Sequence, residues 1–330
     1  MSFRKYIFIS LSLFAFAGIQ RLEACDTCGC SFNAQRARAE AHASGPMLTT
    51  PTASTLGQGR ASAGFMFEHQ RYDKLGAAQA HALHHQGHDV HGKNHEEYYN
   101  INLGYGLLDS LDFYLSTPLV SKTSFEVHEH AALGRGERAS GFGDMRLVAK
   151  YRFWSRGVDA ALLLGLKAPT GKTSNKNQSG EKFEPELQPG SGGWDFNTGL
   201  AVSRSFRKRL SLASAFQYTY RGEGGQAFNP GDLFRYDLGV SYALKPLGTA
   251  PNLSLVLELH NQWASRDASR ESDKVLDSGG TTVLLNPGLT AELTENLSAF
   301  CSMPVPVYQN LGGAHEELRY EVLAGATWTF

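Results

Sequence analysis

From residue 60 to residue 330, apolar and polar side chains alternate with a period of two, in one segment after another. That period belongs to β-strands whose two faces meet different solvents. The segment Glu97–Leu107 shows it best: Tyr99, Ile101, Leu103, Tyr105 and Leu107 alternate with Asn100, Asn102, Gly104 and Gly106. Phe234, Tyr236, Leu238, Val240 and Tyr242 alternate with Arg235, Asp237, Gly239 and Ser241, and Leu253, Leu255, Leu257 and Leu259 with Ser254, Glu258 and His260. In the last segment, Arg319–Phe330, one face carries Tyr320, Val322, Ala324, Ala326, Trp328 and Phe330, and Leu323 is the exception on the other.

The pattern predicts twelve strands, near 60–70, 97–107, 111–116, 145–153, 160–166, 193–205, 210–220, 234–242, 253–262, 281–291, 297–307 and 319–330. Pro287 and Pro304 must sit at bends or bulges in the two weakest of these. Short and long connections alternate, with Asp109-Ser110, Ser155-Arg156-Gly157 and Arg207-Lys208-Arg209 among the short ones. An even number of strands with that rhythm, and lipid-compatible residues on one face of each, predicts an all-β fold: a transmembrane, antiparallel, up-and-down β-barrel. The short turns, and Phe330 with them, then lie in the periplasm and the long loops outside the cell.

Composition narrows the classes. The 330 residues hold 31 Lys+Arg against 32 Asp+Glu, a net charge of −1, which gives nucleic acid no basic surface to bind. Mean hydropathy is −0.30, too polar for a helical membrane protein but suited to strands that present one face to a polar lumen. No Ser–His–acid arrangement stands out at a strand end, so no enzyme activity is expected.

The first residues differ. Arg4 and Lys5 precede an apolar stretch from Tyr6 to Ile19, a secretory leader expected to span residues 1–24. Cleavage is compatible with Ala15-Phe16-Ala17 or with Ala24 before Cys25, where Leu22-Glu23-Ala24-Cys25 resembles a degenerate lipidation signal. Residues 25–59 read as a periplasmic segment, and 60–330 as the barrel. Cys25, Cys28 and Cys30 crowd the start of that segment. They allow a disulfide with one thiol over, a trigonal Cu(I) site, or a Zn(II) site completed by a fourth ligand such as His42.

With apolar faces toward lipid, the lumen receives Glu68, Asp112, Arg146, Lys150, Arg152, Lys167, Asp195, Arg235, Asp237, Glu258, His260, Arg319 and Glu321, a set able to pair internally or to line a small polar pore. Cys301 falls on the outward face. The first long loop concentrates histidine: His81, His84, His85, His88, His91 and His95. Imidazoles at such spacings can share Zn(II), Cu(II) or Ni(II). Glu126, His128, Glu129 and His130 in the second long loop could join them at the rim.

The run Gly141-Phe142-Gly143-Asp144-Met145-Arg146-Leu147-Val148-Ala149-Lys150-Tyr151, followed by Leu166-Lys167-Ala168-Pro169-Thr170-Gly171, resembles a family of outer-membrane barrels assigned to the MetA pathway of phenol degradation. The resemblance covers residues 140–330 and implies passage of small aromatic or apolar compounds. Two expectations stand together. In the first, the barrel binds or passes a transition metal ion of the Cu or Zn class through its histidines and cysteines. In the second, it is a passive channel for small hydrophobic or aromatic compounds, or a closed structural barrel. Outer-membrane lipid and the barrel-assembly machinery are the expected partners in either case, with the outer membrane as location; no cofactor beyond a metal ion is indicated.

Overall fold

The alternating segments form strands. The computed structural model describes residues 45–73, 91–126, 137–269, 278–312 and 317–330. The strands are β1 (Ala61–Tyr72), β2 (His91–Leu108), β3 (Leu111–Glu126), β4 (Glu137–Phe142), β5 (Met145–Ser155), β6 (Asp159–Ala168), β7 (Asp195–Phe206), β8 (Leu210–Arg221), β9 (Leu233–Ala243), β10 (Asn252–Ala264), β11 (Gly280–Glu292), β12 (Leu297–Ser302), β13 (Val305–Leu311) and β14 (Leu318–Thr329). Antiparallel neighbours pair in sequence order, β4 with β5 and β12 with β13 each form one interrupted stave, and β14 pairs with β1. The result is a closed barrel of twelve staves. Pairing of β14 with β1 leaves neither terminal strand as a free edge.

The outward face is apolar. Ile101, Leu103, Leu164, Leu200, Phe216, Leu255 and many others are close to half exposed, a surface that only a bilayer can cover. Toward the long-loop end the belt ends in cross-strand aromatic pairs, with ring centroids 4.7 Å apart for Tyr218–Phe234, 5.5 Å for Phe234–Trp263 and 5.2 Å for Phe67–Tyr99.

Two prolines interrupt the ladder. A proline has no N–H, so the carbonyl facing it loses a partner. Pro118 in β3 lies where β4 breaks from β5, and Pro287 in β11 where β12 breaks from β13. At each break one bond survives, Gly143 N–H to the Pro118 carbonyl (2.9 Å) and Met303 N–H to the Pro287 carbonyl (3.1 Å).

Residues 45–59, part of the segment expected to precede the barrel, run inside it. Every residue from Gly45 to Leu56 except Thr49 is buried, and the partners are the inner walls. The segment starts at the β7–β8 short turn, where Gly45 N–H donates to Ser205 and Ser211 Oγ. It reaches the middle of β10 at Glu258 and returns past Ser203 of β7. It then meets Lys150 of β5 and Asp112 of β3 before entering β1. An irregular chain inside a barrel must satisfy its backbone polar groups there, and these side chains do so.

Candidate functional site

Most charges expected in the lumen are there: Glu68, Asp112, Lys150, Lys167, Asp195, Arg235, Asp237, Glu258, His260 and Glu321 are all buried. Arg319 is not. It stands largely exposed at the long-loop end, 3.7 Å from Asp73. Arg146 and Arg152 are half-buried.

The buried charges are organised around the inner segment. The Glu258 carboxylate accepts the N–H groups of Leu48 (2.8 Å), Thr49 (2.9 Å) and Thr50 (3.0 Å), the Thr49 hydroxyl (2.9 Å) and the Asn286 amide (3.1 Å). His260 sets Nε2 2.8 Å from Thr49 Oγ1 and Nδ1 2.7 Å from Asp237, whose carboxylate also accepts Arg235 Nε at 2.7 Å. Leu48 and Met47 pack with Ala213 and Val256. A second anchor lies across the lumen. Asp112 accepts Leu56 N–H and the Tyr114 hydroxyl, both at 2.8 Å, and Lys150 Nζ donates to the Ser54 carbonyl at 2.9 Å. Charge-assisted bonds such as these are the stronger class.

The other organised region is the wall beside β4. This strand is laddered to β3 alone, because β6 stops at Ala168 and β7 starts at Asp195. Among the described residues, its other edge meets only the long loop 169–194. Lys172 N–H donates to the Phe142 carbonyl (2.8 Å) and Asn175 Nδ2 to the Ser140 carbonyl (3.1 Å). Behind this seam Phe183 and Leu187 of the loop pack on Ala139 of β4. In front of it Phe142 and Leu119 face lipid.

A polar clasp closes the foot of the seam. Asp144 accepts Gly171 N–H (2.8 Å), Ser191 N–H (2.8 Å) and the Ser191 hydroxyl (2.7 Å). Lys167 lies 2.7 Å from Asp195 and 3.6 Å from Asp144, and donates to Ser191 Oγ at 2.7 Å. The loop ends pass so closely that a Cβ on Gly171 would come 2.6 Å from the Gly190 Cα. Asp144, Lys167 and Gly171 are the motif residues singled out above. The motif is therefore the fastening of the loop to the broken stave.

The expected metal ligands are not brought together among the described residues. Cys25, Cys28, Cys30, His81, His84, His85, His88, His128 and His130 lie outside them. His91 and His95 belong to β2 rather than to the loop, and Glu126 ends β3. His95 sits on the outer wall, its ring stacked 5.7 Å from that of His69 and its Nε2 3.3 Å from Thr123 Oγ1. No group of three His, Cys, Asp or Glu among the described residues is placed to hold a metal ion.

Among solved structures, an outer membrane channel from Pseudomonas putida F1 aligns with a TM-score of 0.60 and 17% identity, over 84% of this chain and 98% of that one. That likeness shows the fold, and the protein is an outer-membrane barrel. The short-turn end is then periplasmic. The KdgM porin aligns at 0.43 (9% identity, 81% of this chain and 99% of that one) and the CymD monoaromatic hydrocarbon channel at 0.38 (10% identity, 83% and 88%). No curated protein matches the chain. The sequence profile described as "Putative MetA-pathway of phenol degradation" matches residues 79–306, more than half of the chain, and the protein belongs to that family.

Proposed function

We propose that this barrel is a channel for small hydrophobic or aromatic compounds, which pass between lumen and bilayer through the seam beside β4. The observation that carries the reading is the unladdered edge of β4, lined by Phe183 and Leu187 inside and by Phe142 and Leu119 outside. An apolar solute crossing there exchanges one apolar surface for another and pays no desolvation cost. The axial route is occupied by residues 45–59, held by charge-assisted bonds, which disfavours free passage of water-soluble solutes. The family description, which names phenol degradation, agrees with an aromatic cargo. The first expectation, a transition metal cargo, has no comparable support, and the channel alternative is the better supported of the two.

Uptake by proteoliposomes tests this. A small uncharged aromatic probe should enter faster with the protein than without it, and a hydrophilic sugar should not. Asp144→Ala, which opens the clasp, should raise aromatic uptake and leave sugar exclusion intact. Equal passage of both probes through the wild type would contradict the reading.

A further inference from the structure

The periplasmic rim is not uniform. Three successive short turns, β5–β6, β7–β8 and β9–β10, carry Arg156, Arg207, Lys208, Arg209 and Lys245, and Arg204 lies at the adjoining end of β7. None of the six has a carboxylate within ion-pair distance among the described residues. The rest of the rim is mixed, with Asp109, Glu292 and Glu295 beside Arg60 and Arg152.

Two further observations give the patch a direction and a reason. Arg204 lies on the outward face of β7, its guanidinium 4.7 Å from the Phe206 ring, and Arg156 sits 5.6 Å from the ring of Trp154, which is half exposed on the wall. These cations are therefore stacked on aromatic residues of the lipid-facing surface, at the level where the chain meets the headgroups. The β7–β8 turn, in turn, is closed by Arg209 N–H to the Phe206 carbonyl (3.1 Å), and its central residues Arg207 and Lys208 take φ of 47° and 54°. Positive φ at both central positions is the pattern that favours Asn-Gly and disfavours most residues that carry a Cβ. Two long cations are kept where local sterics oppose them. The neighbouring turn is tied to this one by Leu247 N–H to the Lys208 carbonyl (2.7 Å) and Arg209 Nη1 to the Leu244 carbonyl (3.0 Å), so the cations share one platform.

We propose that this sector of the rim is a binding site for anionic phospholipid headgroups of the inner leaflet, with Arg156 and Arg204 on the wall and Arg207 and Lys208 on the turn as its cations. Guanidinium groups suit phosphate oxygens, and several cations near one surface add their attractions. The site is independent of the seam and of the channel's cargo.

Native mass spectrometry of the detergent-solubilised full-length protein tests it. The wild type should retain cardiolipin or phosphatidylglycerol roughly tenfold or more over phosphatidylethanolamine. The turn variant Arg207→Asn/Lys208→Gly should fold at least as well, because it relieves the positive-φ positions, and should lose most of that preference. Arg156→Gln/Arg204→Gln should lose it too, whereas Arg319→Gln at the opposite end should keep it. Equal retention of anionic and zwitterionic lipid by the wild type, or full retention by both double variants, would overturn the proposal. Displacement of the lipid by inorganic phosphate alone would overturn the lipid as its ligand.

Discussion

The Glu258→Ala substitution addresses a heavily bonded residue of the lumen. Its carboxylate accepts three consecutive backbone N–H groups, from Leu48, Thr49 and Thr50, with the Thr49 hydroxyl and the Asn286 amide. Bonds to a charged group are worth about 1.5–3 kcal/mol each, and a buried donor left without a partner costs about 1–3 kcal/mol. The three backbone bonds do not add fully, because they share one carboxylate, and water entering the vacated space recovers part of the loss. A net loss of about 4 kcal/mol in the docking of residues 46–51 is a moderate expectation, which shifts that local equilibrium by roughly a thousandfold. The second anchor, through Asp112 and Lys150, is untouched, so residues 53–59 should stay docked. Hydrogen exchange read by mass spectrometry should show protection lost at 48–50 and kept near 56. Ion conductance in planar bilayers should rise at the same time. Unchanged protection at 48–50 would refute the reasoning that this carboxylate holds the segment, whatever happened to conductance.

Three other outcomes follow from the same geometry. Gly171→Val should loosen the loop, since even a Cβ there would meet Gly190 Cα at 2.6 Å and Asp144 Oδ1 at 2.8 Å, and limited proteolysis should then cut between 172 and 190 while the barrel keeps its heat-modifiable gel mobility. Replacing His81, His84, His85 and His88 together by Ala should leave aromatic uptake unchanged at pH 7, and Zn(II) should not inhibit the wild type; a loss of uptake in either experiment would return the histidines to the mechanism. Lys167→Met removes the cation between Asp144 and Asp195, which lie 3.6 and 2.7 Å from it, and leaves two buried carboxylates facing each other. Stripping one partner from a buried charge pair costs about 3–5 kcal/mol, so the variant should unfold at lower denaturant and gain aromatic uptake.

The barrel was legible because a two-residue period survives any tertiary context in which one face meets lipid and the other does not. Even the exception at Leu323 has a structural counterpart, since that side chain is buried inside rather than exposed to lipid. The breaks at Gly143–Asp144 and Met303–Pro304 were less legible. Pro287 and Pro304 announced one of them, but Pro118 lay beyond the recognised end of its strand, and its partner break fell just before the strand expected at 145–153. Residues 45–59 could not be read as an inner segment. Their chain is not periodic, because each residue answers a different wall, and the carboxylate that holds Leu48–Thr50 is more than two hundred positions away. The clasp shows the opposite case. Asp144, Lys167 and Gly171 stood out as a pattern and Asp195 as a lumen charge, yet Ser191, which completes the clasp, carried no signal until the loop brought it within hydrogen-bond reach. The histidine cluster was the most visible chemical feature, and composition alone could not say whether its members converge.

The central claim is that apolar solutes cross at the seam, and a reversible lock on that seam tests it most directly. Ser140 of β4 and Asn175 of the loop are already neighbours, the Asn175 amide donating to the Ser140 carbonyl at 3.1 Å. Ser140→Cys with Asn175→Cys, in a background lacking the native cysteines, places a disulfide across the opening without touching the lumen. Uptake of the aromatic probe should fall to the level of empty liposomes when the pair is oxidised and return on reduction, with ion conductance the same in both states. Full aromatic uptake through the oxidised, cross-linked barrel would contradict the account.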